Sequence, residues 1–322
     1  MLIYNANRNN LKSILVDIDI FSVDSMENLT DFKKLINISD FHFIIQQPPC
    51  PVDGIDLAVF VESAPDNFLT RHAIRRTWAN QTENGKFGRF RVYFTLGTVS
   101  TKQKQGELIL ENYQFQDLIQ GSFVDHYRNL TYKHVMSLKW AKYFCGSAKV
   151  VLKTNDDVMF NMPFLLSSFK TNFWEKIYDE NRDFVYGRLF HENPIGRSSK
   201  DRHRVTEEEL QGKFYPDYIG GFAIFYAQST VGKIYEVANN LPFLWIEDAF
   251  VSGVAREKTG INATDGGYLT FDMPSKKVQE FVNLNQTDVK NFFVACYNFD
   301  IVAEGDAVWK GIQHLNKLLK VS

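Results

Sequence analysis

The chain predicts an α/β fold, with a mostly parallel central sheet flanked by helices on both faces. Three observations carry this expectation: short apolar runs end at polar or glycine positions, segments of helical spacing stand between them, and the two alternate. The first run is Ile55 to Val61 (IDLAVFV), continuous enough for a strand buried on both faces. From Phe68 to Trp78, Phe68, Ala73, Ile74 and Trp78 share a helical face. Phe90 to Leu96 (FRVYFTL) reads as a second strand, closed by Gly97. Ser100 is placed to cap a helix reaching about Tyr113, and Asn129 or Thr131 to cap the next. In that second helix Tyr132, Val135, Met136, Trp140 and Phe144 recur at helical intervals, and Lys149 to Lys153 (KVVLK) follows as a third strand. Further on, Phe184 to Leu189 and Tyr218 to Tyr226 read as strands, Val231 to Asn240 as a helix, and the polar Ile195 to Lys213 as a long loop. After Gly260 the pattern weakens.

Composition narrows the class. The 322 residues are 44% hydrophobic and 23% charged, values of an ordinary globular chain, so collagen-like and disordered readings are excluded. A net charge of −2 leaves no basic footprint for duplex nucleic acid. Cys50, Cys145 and Cys296 are too few for a disulfide scaffold and form no zinc pattern; one bridge with a free thiol, or no bridge, both remain open. Glycosylation sequons at Asn28, Asn37, Asn80, Asn129, Asn262 and Asn285 favour the secretory pathway. Leu11 to Val23 carries Lys12, Asp17 and Asp19, too short and too charged for a membrane span or signal peptide. Prolines at 48, 49 and 51 mark a break, so residues 1–52 are expected to be a leader or stem-like segment and residues 53–322 the main domain.

Four clusters can do chemistry. Lys153-Thr154-Asn155-Asp156-Asp157 follows a buried strand, where open α/β sheets bind ligands; two adjacent carboxylates suit a hard cation such as Mn²⁺ or Mg²⁺, or else a solvated turn. Glu247-Asp248 follows an apolar, aromatic run and suits either a general base or a helix N-terminus. Arg71 and Arg75 share one helix face and could clamp phosphate or face solvent. Tyr215-Pro216-Asp217-Tyr218-Ile219-Gly220-Gly221 sets aromatic rings beside glycines that allow close backbone approach to a ligand, or forms an ordinary turn. No G-x-S-x-G elbow, P-loop, dinucleotide fingerprint or H-E-x-x-H is present.

In order and spacing these segments resemble the β1,3-galactosyltransferase and β1,3-N-acetylglucosaminyltransferase family of the Golgi. Arg71 to Trp78 resembles R-x-x-I-R-x-T-W, Tyr127 to Lys133 resembles Y-x-N-L-T-x-K, and Lys153 to Asn161 resembles K-T-D-D-D-x-x-x-N. Tyr215 to Gly221 resembles Y-P-x-Y-x-x-G, and Glu247 to Gly253 the E-D-V motif; the match runs from about Ile55 to Gly260. The resemblance implies a GT-A fold, a type II Golgi membrane protein, and inverting transfer of galactose or an N-acetylhexosamine from a UDP-sugar to a glycan hydroxyl, forming a β1,3 linkage. It implies Asp157, helped by Asp156, on Mn²⁺ or Mg²⁺, and Asp248 as the base. Arg71, Arg75, Lys153, Asp156, Gly220 and Gly221 would line the nucleotide sugar, Glu247 and Tyr218 the acceptor side. Asn80 and Asn129 are the expected glycan carriers. Two departures stand out: Asn155 replaces the first Asp of the acidic motif, and Asn298 falls where the family often has a metal-binding His, eleven residues before Trp309. A catalytically silent member that binds glycans or partners is the alternative these departures support.

Overall fold

The computed structural model describes residues 31–282 and 294–321. Its central sheet has eight strands: β1 (Phe43–Ile45), β2 (Ile55–Glu62), β3 (Phe90–Thr98), β4 (Leu118–Val124), β5 (Ala148–Asn155), β7 (Val185–Phe190), β8 (Tyr218–Ala227) and β9 (Ala263–Asp265). They lie in the order β1-β4-β3-β2-β5-β8-β7-β9. The run β4-β3-β2-β5 is parallel; β1, β8 and β7 join antiparallel, and β9 pairs parallel with β7. A small sheet of β10 (Thr270–Asp272), β11 (Ala295–Tyr297) and β6 (Met159–Phe160) lies apart. The architecture is the α/β, GT-A-like one expected, with a mostly parallel sheet between helices.

Strand periodicity explains the layers. Leu57, Val59 and Val61 of β2 pack in one cluster with Ile74 of α1 (Phe68–Arg76), with Leu108 of α2 (Lys102–Phe115), and with Trp309 and Ile312 of the C-terminal helix (Gly305–Leu318). Ala58 and Phe60, pointing the other way, join Val135, Leu138 and Trp140 of α3 (Leu130–Phe144) and Val231 and Ile234 of α4 (Gln228–Ala238). Both faces of the strand are therefore dry, as its unbroken apolar run requires.

Three expectations shift. The cap of α2 is Thr101, not Ser100: its hydroxyl accepts from Lys104 N. Asn129 stands at the start of α3 without capping it and donates to Val124 O instead, at 2.9 Å. Strand β4 has no counterpart in the sequence reading, because Gln120, Gly121 and Ser122 interrupt its apolar run. Gln120 is buried only by virtue of bonds to Gly97 O and Gln105. A Cβ on Gly121 would meet Met136 Sδ and the Phe123 and Phe41 rings, so glycine is a packing requirement there.

The segment expected to be a leader is, from residue 31 onward, part of the packed body. Lys139, buried in α3, donates to the carbonyls of Asp31, Phe32 and Lys34. Asp31 accepts from the hydroxyls of Tyr143 and Tyr235 and from Asn239 Nδ2. Phe41 is buried, β1 extends the sheet edge, and Cys50 is bridged to Cys145 at the end of α3. The proline break thus falls inside the folded unit; residues 1–30 lie outside the described ones, as do the sequons at Asn28 and Asn285. Cys296 is a buried free thiol. Among the described residues no helix is long and apolar enough to cross a membrane.

The bridge spans 95 residues of sequence, so it restrains a large loop of the unfolded chain. Replacing Cys145 with Ala is expected to lower unfolding free energy by about 2–4 kcal/mol, read from urea titration against wild type.

Candidate active site

The chain passes from β2 to β3 to β4 on one side of the sheet and returns to β5 on the other. This reversal makes a topological switch point beside the C-terminal ends of β2 and β5, where open α/β sheets hold ligands. Glu62 stands opposite Asn155 there, and the acidic turn follows directly.

Asp156 is anchored: its Oδ2 accepts from Ser63 Oγ at 2.7 Å and Asn67 Nδ2 at 2.9 Å. Asp157 is exposed and, among the described residues, its side chain makes no ion pair and no hydrogen bond to another residue. Crowding by protein atoms, and then the neighbouring Asp156 charge, push its carboxyl above the usual range. Asn161, the last position of that motif, is structural: its side chain caps the turn at Phe164 and exchanges two hydrogen bonds with Asn316 of the C-terminal helix.

Behind the turn lies a buried ionic core that sequence reasoning missed. The Lys153 ammonium sits 3.1 Å from Glu62, 2.5 Å from Glu247, 3.0 Å from Gly221 O and 3.1 Å from Asn155 Oδ1. Glu247 also meets His134 Nδ1 at 2.5 Å, and His134 Nε2 meets the Tyr226 hydroxyl at 2.9 Å. Burial alone would raise the Glu247 carboxyl, but Lys153 and then His134 outweigh it and hold it well below its usual range. Glu62 lacks comparable donors, so burial dominates and raises its carboxyl. Burial pushes the His134 imidazole below its usual value, while the Glu247 carboxylate beside it acts the other way. Glu62, His134 and Glu247 offer atoms within 4.8 Å of one another, a spacing a metal ion could use. The Lys153 ammonium already sits against Glu62 and Glu247, which makes this a salt-bridge core. The sequence held two signals for it: an acid ending the apolar run of β2 and a His on the buried face of α3.

Asp248 follows Glu247 directly, beside this core. Its Oδ2 accepts from Gly221 N at 3.1 Å and its Oδ1 from Ala249 N at 2.8 Å, at the start of the π-helical Ala249–Ala255. The residue is half-buried, and burial followed by the Glu247 charge push its carboxyl up to about 6. The two readings of this pair, helix cap and candidate base, are therefore compatible. Tyr218 lies near it: burial and then the Asp248 charge raise its hydroxyl, which accepts from Asn193 Nδ2 at 2.5 Å.

Several residues expected at the nucleotide sugar also have partners within the protein. All five N–H donors of buried Arg71 are taken, by Glu111, Ser63 Oγ, Ala64 O and Pro65 O. It braces the loop after β2 and, through Ser63, the anchor of Asp156. Arg75 binds Glu111 and Asp117 and lies over the Phe115 ring at 4.0 Å. A Cβ on Gly220 would meet the Phe190 ring; one on Gly221 would collide with Glu247 Oε1. These glycines admit the protein's own side chains. Glu247, expected toward the acceptor, is buried inside the ionic core. Asn80 is half-buried and caps a short helix by accepting from Glu83 N.

Lys153 thus contacts both acidic segments, Asn155 at the head of the Asp156-Asp157 turn and Glu247 beside Asp248. Comparison with known proteins gives the family: residues 69–266 match the model of the Galactosyltransferase family, and the chain belongs to it. It is 31% identical over 245 residues to lactosylceramide 1,3-N-acetyl-beta-D-glucosaminyltransferase of Xenopus tropicalis, covering 74% of this chain and 61% of that protein. It is 28% identical over 242 residues to beta-1,3-galactosyltransferase 9 of Homo sapiens, covering 75% and 64%. The chain thus spans about three-fifths of the length of these relatives. A solved glycosyltransferase involved in glycosylation of the major capsid of PBCV-1 aligns with 81% of this chain and 99% of its own, at 13% identity and a TM-score of 0.40.

Replacing Lys153 with Met would leave Glu62 and Glu247 buried around an absent cation. A loss of about 3–5 kcal/mol in unfolding free energy is expected, measured by denaturant titration at neutral pH.

Proposed function

We propose that this chain is an inverting, metal-dependent glycosyltransferase. In this reading it moves galactose or an N-acetylhexosamine from a UDP-sugar to a hydroxyl of a glycan, forming a β1,3 linkage. Asp248 is the observation that carries the reading: a carboxylate near neutral pKa, fixed by two backbone N–H groups across the Lys153 core from the acidic turn. The relatives' names support the two donor sugars and, through lactosylceramide, a glycolipid as acceptor.

Asp157 fits a divalent ion, being an exposed carboxylate beside Asp156 whose side chain has no hydrogen-bond partner among the described residues. Mn²⁺ or Mg²⁺ bound there would neutralise charge on the departing diphosphate. Lys153, by gripping Asn155 and Glu247 together, keeps the two acidic walls at a fixed separation. Asp248 takes the proton of the acceptor hydroxyl while that oxygen attacks the anomeric carbon; UDP leaves from the opposite face with the bonding pair. One base facing the leaving group in line gives inversion, hence a β-linkage from an α-linked donor. The disulfide supports an oxidising compartment, and with the sequons a Golgi location.

A UDP-release assay across UDP-sugars, with and without Mn²⁺, tests the function. The silent alternative draws on Asn155 and on Asn298, whose amide donates to Asp272; no turnover with any donor would favour it. Asp248→Asn is expected to cut kcat by about 10²–10⁴-fold while UDP affinity by calorimetry stays within twofold. Because the base works deprotonated and its pKa is near 6, wild-type kcat/KM should rise from pH 5 to 7. Asp157→Ala should abolish the Mn²⁺-dependent part of UDP binding, seen in the same titration; unchanged affinity would remove Asp157 from the metal.

A further inference from the structure

Four sequons lie among the described residues, and their amides differ. Asn37 accepts from the Tyr132 hydroxyl, Asn80 caps a helix and Asn129 donates to Val124 O. Asn262 is exposed, and among the described residues its side chain makes no hydrogen bond. It also lines a cavity of about 430 Å³, together with Phe214, Glu192, Asp217 and Glu257. Phe214 is 51% exposed, a ring with no evident core partner facing an open cleft. Directly after Asn262 comes β9, the last strand of the sheet, whose outer backbone edge is unpaired among the described residues.

We propose that Asn262 carries an N-linked glycan whose first N-acetylglucosamine sits in this cleft against Phe214. The Asn262 Nδ2 loses one proton and bonds to C1 of the sugar, while the diphosphate of a lipid-linked oligosaccharide leaves with the bonding electrons. The sugar's apolar face covers the Phe214 ring, and its hydroxyls and amide N–H donate to the carboxylates of Glu192 and Glu257. The remaining glycan projects over β9 and covers the edge against strand addition from another chain. The ring and the acceptor oxygens are what a neutral pyranose needs. The inference rests on the secretory placement in the proposed function, but on no catalytic step.

The test is the full chain, expressed behind a secretory signal in cultured animal cells. Mass spectrometry of the Asn262 peptide should show glycan on most copies. Enzymatic removal of the whole glycan should lower Tm by about 1–3 °C, whereas trimming to the first N-acetylglucosamine should leave Tm unchanged. In a cycle of Asn262→Gln and Phe214→Ala, each single change should lower Tm and the double no further than the larger single. An unmodified Asn262 beside modified Asn80 or Asn129 would overturn the inference and leave the compartment standing. No glycan at any sequon would overturn both. Strict additivity in the cycle, with Asn262 modified, would remove the seat on Phe214.

Discussion

A fully buried ammonium flanked by two buried carboxyl groups depends on its partners, because removing the cation or its ionised partner strands a charge away from water. Lys153 is that ammonium, and both acidic segments are tied to it. Asn155 on the acidic turn and Glu247 beside the candidate base are held by one nitrogen, so neither wall can drift without breaking the other's contact. Gly221 completes the arrangement from the backbone: its carbonyl accepts from Lys153 and its N–H donates to Asp248. The separation of the two acidic pairs is thereby set by a core interaction, and loops do not decide it.

The same core tunes Asp248. Adjacent carboxylates normally divide a charge environment between them, one ionised and the other raised. Here Glu247 takes the cation and the imidazole of His134, leaving Asp248 with two backbone donors and a neighbouring negative charge. One acid becomes a fixed structural anion and the next in sequence becomes titratable near neutral pH. The two arginines of α1 act at one remove. Arg71 and Arg75 share Glu111, and Arg71 reaches Ser63, whose hydroxyl in turn holds Asp156. A cluster that reads as a phosphate clamp is scaffolding for the turn.

Legibility in the sequence followed the range of the interactions involved. Apolar runs and helical spacing located β2, β3, β5, β8 and the helices between them, since each signal is contained in a dozen residues. β4 escaped because its polar centre is satisfied only by partners on β3 and α2. The acidic turn was legible as a candidate from its place at a strand end, and Asp248 from its motif. Glu62 and His134 were not, for each looks like an isolated residue until β2, α3 and the Glu247 loop meet.

By itself the sequence determined the α/β class, the order of the motifs, the family and the residues able to bear charge chemistry. Local periodicity and residue type encode these directly. The tertiary structure decided which charges pair with one another and which do not. Arg71, Arg75 and Glu247 were drawn into internal ion pairs, Gly220 and Gly221 made room for side chains of the protein, and Asp157 and Asp248 were left open. Burial and pairing depend on neighbours far apart in the chain, which no local pattern records.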